Sequence, residues 1–152
     1  MTKPKSYGIA PYYKKNGKIY LFLCKASDSR TKWGFLKGTI TSKEDPKECA
    51  KREFYEESNI PIKLEYFEEY FEQINIKKDV GVWLVDASKI KNFENYFDSN
   101  LKLKSKYRSK ELTDAGLFEI YKMPPSKNNQ FKIIFDIVYF LKHQKFGDSS
   151  EL

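Results

Sequence analysis

Residues 45–59 carry a start signal and a stop signal for a single helix. Asp45 is suited to cap the helix and Glu48 to close a capping box. Pro46 suits the first helical position, because an N–H group there would have no partner within the helix. Asn59 is a residue that adopts the left-handed conformation with which many helices end. The sequence therefore predicts a helix that begins at Asp45 and ends just before Asn59.

Segments rich in β-branched and aromatic residues surround this helix. An Asn16-Gly17 pair, a strong tight-turn signal, lies between two of them and predicts a hairpin. Further runs of this composition predict later strands. Apolar residues at helical spacing near the C-terminus predict a closing amphipathic helix. The predicted strands are 7–13, 18–24, 64–76, 80–86 and 115–121, and the closing helix is 129–144. This order predicts an α+β fold in which helices cover a mixed sheet.

The segment 87–112 is rich in Lys and Asn and lacks a clear period. We expect it to form a long surface insertion with a short helix near 92–97. A chain of 152 residues that is 40% hydrophobic contains enough apolar material for one core. We therefore expect one domain spanning residues 1–152.

The composition also excludes several classes of protein. No apolar run approaches the roughly 18 residues of a membrane span, and the N-terminal residues lack an apolar signal region. We expect a cytoplasmic protein without a membrane partner. Cys24, Cys49 and His143 are the only cysteines and histidine, so one chain cannot assemble a Cys/His zinc cluster or a disulfide framework.

The formal net charge of +7 favours polyanionic partners such as nucleotides, nucleic acids or anionic surfaces. Solubility alone is an alternative explanation for this charge.

Three carboxylates lie close together near the C-terminal end of the predicted helix: Glu53, Glu56 and Glu57. Like charges at this spacing repel by roughly 0.2–0.5 kcal/mol per pair, and acids near a helix C-terminus oppose the helix dipole. A bound Mg²⁺ or Mn²⁺ would remove this conflict, because hard cations take oxygen ligands. Screening of an exposed acidic face by Arg52 and neighbouring lysines is the alternative.

The same stretch resembles a known family signature. It is similar to the Nudix box, G-x5-E-x7-R-E-U-x-E-E-x-G-U, where U is aliphatic or aromatic. Gly38 is followed after five residues by Glu44, and Glu44 is followed after seven residues by REFYEESNI at 52–60. Asn59 replaces the last glycine, and we expect a small effect because Asn tolerates a left-handed backbone. The resemblance implies a Nudix fold, with a mixed sheet between helices (α/β/α), and a pyrophosphohydrolase activity.

The resemblance also implies roles for particular residues. Glu56 and Glu57 are expected to bind the metal, Glu53 to be a third ligand or the base, and Arg52 to orient these carboxylates. In some members of the family a glutamate from a late loop is the base, and Glu111 lies at a comparable place.

The substrate contacts are expected just before the box. Lys37 beside Gly38 is a candidate phosphate contact, and Arg30 and Lys32 are further candidates. Trp33 and Trp83 either stack on a base or lie in the core.

The segment 25–38, KASDSRTKWGFLKG, resembles the corresponding segment of asymmetric diadenosine tetraphosphate hydrolases, with Leu36 in place of a proline. The expected substrate is therefore a small nucleotide, with a dinucleoside polyphosphate as the first choice and the lysines of 102–110 as a possible rim for its phosphates. An RNA 5′-pyrophosphohydrolase, a hydrolase of diphosphoinositols or nucleoside triphosphates, and a Nudix-fold sensor without activity are the alternatives. A monomer and a homodimer both remain open.

Overall fold

The computed structural model describes residues 3–26 and 32–144 and contains a six-stranded mixed sheet and two α-helices. Four short 3-10 turns lie between the later elements. The strands are β1 (Lys5–Lys15), β2 (Lys18–Ala26), β3 (Leu36–Thr39), β4 (Phe67–Gln73), β5 (Asp79–Asp86) and β6 (Leu112–Glu119), and the helices are α1 (Pro46–Ser58) and α2 (Phe131–His143).

The sheet has the order β4-β5-β1-β2-β6, and β3 also pairs with β1. Strand β1 is long enough to pair with β3 through residues 6–9 and with β2 through residues 12–15. The β1–β5 pair is parallel and the other pairs are antiparallel. Strand β1 therefore lies at the centre of the sheet, and β3 leads from it directly toward α1.

The predicted hairpin is confirmed. Strands β1 and β2 are joined by Asn16 and Gly17, whose φ angles are 52° and 78°. Positive φ at both central residues matches the right-handed twist of the two strands, and Asn and Gly are the residues that tolerate it best.

Helix α1 has the predicted bounds and the predicted caps. The Asp45 side chain accepts from the Glu48 N–H at 2.9 Å, and the Asp45 N–H donates to the Glu48 side chain at 3.2 Å. Asn59 has φ 60° and ψ 20°, and its N–H donates to the Tyr55 carbonyl. The helix begins and ends where local side-chain chemistry favours it.

Each face of the sheet packs against one helix. The first face packs against Cys49, Ala50 and Phe54 of α1, and the second against four aliphatic side chains of α2: Ile133, Ile134, Ile137 and Leu141. The predicted α+β fold with an α/β/α arrangement is confirmed. Neither helix within residues 3–26 and 32–144 is long and apolar enough to cross a membrane.

The segment that joins β5 to β6 is not the loose surface insertion that the sequence predicts. Its apolar side chains Ile90, Phe93, Phe97 and Leu103 are 2–7% exposed and extend the core beneath α1. A short 3-10 helix, Phe93–Tyr96, lies within the predicted 92–97 window. The prediction of a surface segment was wrong because irregularly spaced apolar residues anchor this segment without producing a helical or strand period.

Candidate active site

Arg52 of α1 lies at the centre of a network of carboxylates. Its guanidinium donates to both oxygens of Glu44, at 2.7 and 2.9 Å. A third nitrogen donates to Glu53 at 3.1 Å and to Glu56 at 3.2 Å. A planar guanidinium can hold several oxygens in fixed directions, so Arg52 sets the orientation of three glutamates.

This network changes the acidity of its members. The hydrogen bonds from Arg52 lower the pKa of Glu44 to about 2, and the Glu44 carboxylate in turn raises the pKa of Arg52. Glu44 also accepts from the Thr41 N–H at 3.1 Å. Glu44 therefore stays ionised and links the loop before α1 to Arg52.

The absence of a side chain at residue 38 makes room for Glu53. A Cβ atom at Gly38 would lie 1.9 Å from the Glu53 Cδ atom, which no real contact allows. Burial in this narrow space raises the pKa of Glu53 against the opposing effect of Arg52. Strand β3, which carries Gly38, thus provides the surface against which this carboxylate lies.

Glu57 faces the loop before β6 instead of Arg52. Its Oε1 atom accepts from the Ser109 hydroxyl at 3.2 Å. Burial and a hydrogen bond with the carboxyl group of Glu111 raise the pKa of Glu57 to about 7. Burial and contact with a second carboxyl group both favour the protonated form of Glu57 over its carboxylate.

These two glutamates line a cavity of about 200 Å³. Its walls also carry two lysines, Lys37 from β3 and Lys127 from the loop before α2. The buried Gln130 side chain accepts from the Phe35 N–H at 2.7 Å and fixes another wall. The cavity therefore combines two acids with two cations, as a site for a phosphate and a reacting water requires.

The C-terminal end of α1 is held by the same loop. The Ser109 N–H donates to the Glu57 carbonyl at 3.0 Å, and the Asn59 side-chain amide donates to the Tyr107 carbonyl at 2.7 Å. The Ser109 bond occupies one of the helix carbonyls that would otherwise lack a partner. The loop thereby offsets part of the cost of having acids at this end of the helix.

The donors fit a hard divalent cation in kind. Glu53, Glu56, Glu57 and Glu111 offer only carboxylate oxygens, which suit Mg²⁺ and Mn²⁺. Among the described residues no three Asp, Glu, His or Cys side chains form a ready metal site. Glu53 and Glu56 are turned toward Arg52 and Glu57 toward Glu111, so a cation would compete with these contacts.

The remaining predicted residues are found in different surroundings. Arg30 lies outside the described residues, and Lys32 is exposed and absent from the described lining of the cavity. Trp33 and Trp83 are buried at 7% and 8% exposure and belong to the two cores. His143 is exposed and stacks on Tyr139, in agreement with a surface position.

Part of the basic segment 102–110 lies away from this cavity. Lys102 pairs with Asp114 at 2.6 Å and lies 5.1 Å from the Trp33 ring, while Lys106 lies over the Tyr107 ring. None of the lysines of 102–110 is among the described residues that line the cavity, and a phosphate rim along this segment stays a prediction.

Two residues of the site were missed from the sequence. Lys127 and Ser109 come from loops far along the chain from the box, and neither belongs to a recognisable motif. Only the position of Glu111 in the late loop pointed toward this region. Pairing of β2 with β6 brings the late loop to the end of α1.

A family model described as "NUDIX domain" matches residues 2–130. This chain belongs to the Nudix family, and the predicted class of enzyme, a Nudix pyrophosphohydrolase, is confirmed at that level. Members of this family generally use divalent metals. No curated protein matches the chain in sequence.

Solved structures share its fold. An Ap4A hydrolase from C. elegans in a binary complex is 21% identical, with a TM-score of 0.63, over 93% of this chain and 99% of that chain. A Nudix hydrolase from M. smegmatis, RenU, is 10% identical, with a TM-score of 0.68, over 95% of this chain and 89% of that chain. An ADP-ribose pyrophosphatase from Streptococcus suis is 12% identical, with a TM-score of 0.56, over 97% of both chains. At these identities the likeness concerns the fold.

Proposed function

We propose that this chain acts as a single Nudix domain that hydrolyses a diphosphate linkage in a nucleoside polyphosphate, with Mg²⁺ or Mn²⁺. A dinucleoside polyphosphate such as diadenosine tetraphosphate is the preferred substrate. The observation that carries the proposal is the cavity that Glu57 and Glu111 line together with Lys37 and Lys127.

Each residue has a proposed task. Glu53, Glu56 and Glu57 would hold the cation, and Arg52 keeps Glu53 and Glu56 in place until it arrives. When bound, the cation neutralises charge on the diphosphate and makes water a better nucleophile. Lys37 and Lys127, which line the same cavity, would offer ammonium groups to the phosphate oxygens of the substrate.

Glu111 is the proposed base. Once Glu57 serves as a ligand, the Glu111 carboxylate oxygen is positioned at the cavity to accept the proton from the attacking water. The water oxygen forms a bond to phosphorus, the bridging P–O bond breaks, and the leaving phosphate takes the electron pair. Glu53 is the alternative base, although its carboxylate lies against Gly38 and Arg52.

The choice of substrate is supported by the sequence of residues 25–38 and by the fold shared with the C. elegans Ap4A hydrolase over nearly its whole length. An RNA 5′ end is the second candidate, since the net charge of +7 suits a polyanion.

The decisive experiment is product analysis with a substrate panel. Purified protein with Mg²⁺ is incubated with diadenosine tetraphosphate, nucleoside triphosphates, ADP-ribose, a diphosphoinositol and a 5′-triphosphorylated RNA, each with an EDTA control. Formation of ATP and AMP from the first compound is the expected result. Binding to a panel member without any product would indicate a sensor instead.

A salt series separates the two leading substrates. An RNA held by several lysines should lose affinity steeply as ionic strength rises, while a small nucleotide should lose less. A steep dependence together with RNA cleavage would replace the dinucleotide proposal.

A further inference from the structure

A second and larger cavity, of about 840 Å³, lies beside α1 and is distinct from the one that contains Glu57. At about 100° per residue, Lys51 and Asn59, which line it, lie on the opposite side of the helix from Glu53 and Glu57. Its volume lies within the range of small-molecule sites. None of the proposed catalytic residues lines this cavity.

The charge of this second cavity has one sign. Its described lining contains four lysines and no Asp or Glu: Lys51, Lys63, Lys89 and Lys91. The Lys89 ammonium lies 3.8 Å from the Glu68 carboxylate, and the other three lysines form no ion pair within the part of the chain that the structure describes. Four ammonium groups around one concave surface favour a ligand with negative charge.

The rest of the lining suits a planar ring. Tyr66, Tyr96 and Tyr107 are half-buried in the wall, and the Tyr96 and Tyr107 rings pack at 4.9 Å between centroids. The buried side chains of Ile62 and Ile90 provide an apolar floor. Aromatic and apolar surfaces of this kind stack on nucleic-acid bases without depending on the identity of the base.

Polar groups for a sugar or a base are also present. Asn59, Asn92 and Asn95 line the cavity, and each amide can donate and accept. The Asn95 N–H donates to the Asn92 carbonyl at 3.0 Å, and the Lys104 N–H donates to the Tyr96 carbonyl at 2.9 Å. These backbone bonds and the Asn59–Tyr107 bond hold the walls in place without a ligand.

We propose that the large basic cavity binds a nucleoside phosphate at a site separate from the catalytic cavity. Its phosphate contacts the lysines and its base stacks on the tyrosine wall. The site does not require catalysis, so it can be tested whether or not diadenosine tetraphosphate is the substrate.

The test is an NMR titration of the ¹⁵N-labelled protein with AMP in EDTA. EDTA removes the divalent cation that the proposed catalytic site needs to bind a phosphate tightly, whereas the four lysines of the basic cavity need no cation. The expected result is a saturable shift of the amide signals of residues 89–96 and Tyr107. Ribose 5-phosphate, which has the same phosphate but no base, should bind at least about threefold more weakly because it cannot stack.

The matched variants are two pairs of exposed lysines. The double variant Lys63→Ala/Lys91→Ala should weaken AMP binding at least about tenfold, since it removes two charge-assisted contacts. Lys18→Ala/Lys122→Ala removes the same net charge from exposed positions outside this cavity and should change the affinity less than twofold.

Three results would overturn the proposal. They are the absence of shifts at millimolar AMP, shifts confined to the surroundings of Glu57 and Lys37, and equal weakening by both double variants. Equal binding of AMP and ribose 5-phosphate would overturn the assignment of a nucleoside and leave only a phosphate contact.

Discussion

The two helices of this protein cover opposite faces of one sheet by different means. Helix α2 buries four large aliphatic side chains, and no side chain caps its start. Helix α1 buries only Cys49, Ala50, Phe54 and Ser58, but it has a complete capping box and a left-handed C-cap. Packing stabilises α2. In α1, the caps and the hydrogen bonds of Arg52 offset the repulsion among the clustered carboxylates. The helix that buries fewer large aliphatic side chains is therefore the one that carries the candidate chemistry.

The largest expected effect comes from removing one charge from α1. Glu57→Gln should reduce kcat by about 10²–10⁴-fold, because the proposed site loses a carboxylate that would hold the metal next to the proposed base. Hydrolysis of the best substrate of the panel measures this effect. Glu65→Gln, at an exposed glutamate outside the cavity, is the control and should retain full activity. An active Glu57→Gln enzyme would mean that α1 does not carry the chemistry.

The converse substitution is in α2. Ile137 is fully buried, so Ile137→Ala should lower the free energy of unfolding by about 2–5 kcal/mol. Urea denaturation measures this loss, while kcat at a temperature where the variant remains folded should be unchanged. A large fall in kcat of the folded variant would show that α2 also shapes the site.

Gly38→Ala tests the contact between β3 and α1. The new methyl group would displace the Glu53 carboxylate, and a displacement of this kind typically costs about 10²-fold in rate and about 1–3 kcal/mol in stability. Gly17→Ala is the control, since that glycine has positive φ but no neighbour within 4 Å. It should destabilise the fold by about 1–2 kcal/mol and leave activity intact. Similar activity losses in both variants would contradict the proposed role of Gly38.

The stability of the metal-free protein should depend on the Glu57–Glu111 pair. The pKa of Glu57 is about 7 in the folded chain and about 4.3 in an unfolded one, so the folded state holds the extra proton between these values. Stability should therefore fall as pH rises from about 4.5 to 7 and then level off. In EDTA, the Tm of Glu57→Gln should exceed that of the wild type increasingly over this interval. A constant Tm difference would indicate that folding does not raise the pKa of Glu57.

The smallest effect is expected at the one departure from the box. Asn59→Gly relieves the left-handed backbone but loses the hydrogen bond to Tyr107, and each contribution is about 1 kcal/mol. Stability by urea denaturation should change by less than about 1 kcal/mol, and kcat should stay within about twofold. Loss of activity would mean that the Asn59 amide positions the late loop for catalysis.

Local signals explain what the sequence could predict. The capping residues of α1, the Asn16-Gly17 turn and the apolar period of α2 each act within a few residues, and all three are observed as predicted. The helix predicted from these caps also placed Glu53, Glu56 and Glu57 together near its C-terminal end, where they are found.

Contacts between residues far apart in the chain explain what the sequence could not predict. The parallel pairing of β1 with β5 joins residues about 75 positions apart in the chain, and no local pattern encodes it. Lys127 lines the cavity and Ser109 bonds to Glu57 through contacts that are also distant in the sequence. The orientation of Glu53 and Glu56 toward Arg52, with Glu57 toward Glu111, depends on neighbours that the box does not contain.

The loop before β6 separates two cavities, with Tyr107 in the wall of one and Glu111 in the wall of the other. Over evolutionary time, a substitution in this loop that changes the shape of one cavity is also selected for its effect on the other cavity. Insertions between Tyr107 and Glu111 should consequently be rare among descendants of this chain, even though exposed loops usually vary freely in length. The sequence of that short stretch would be constrained by both cavities.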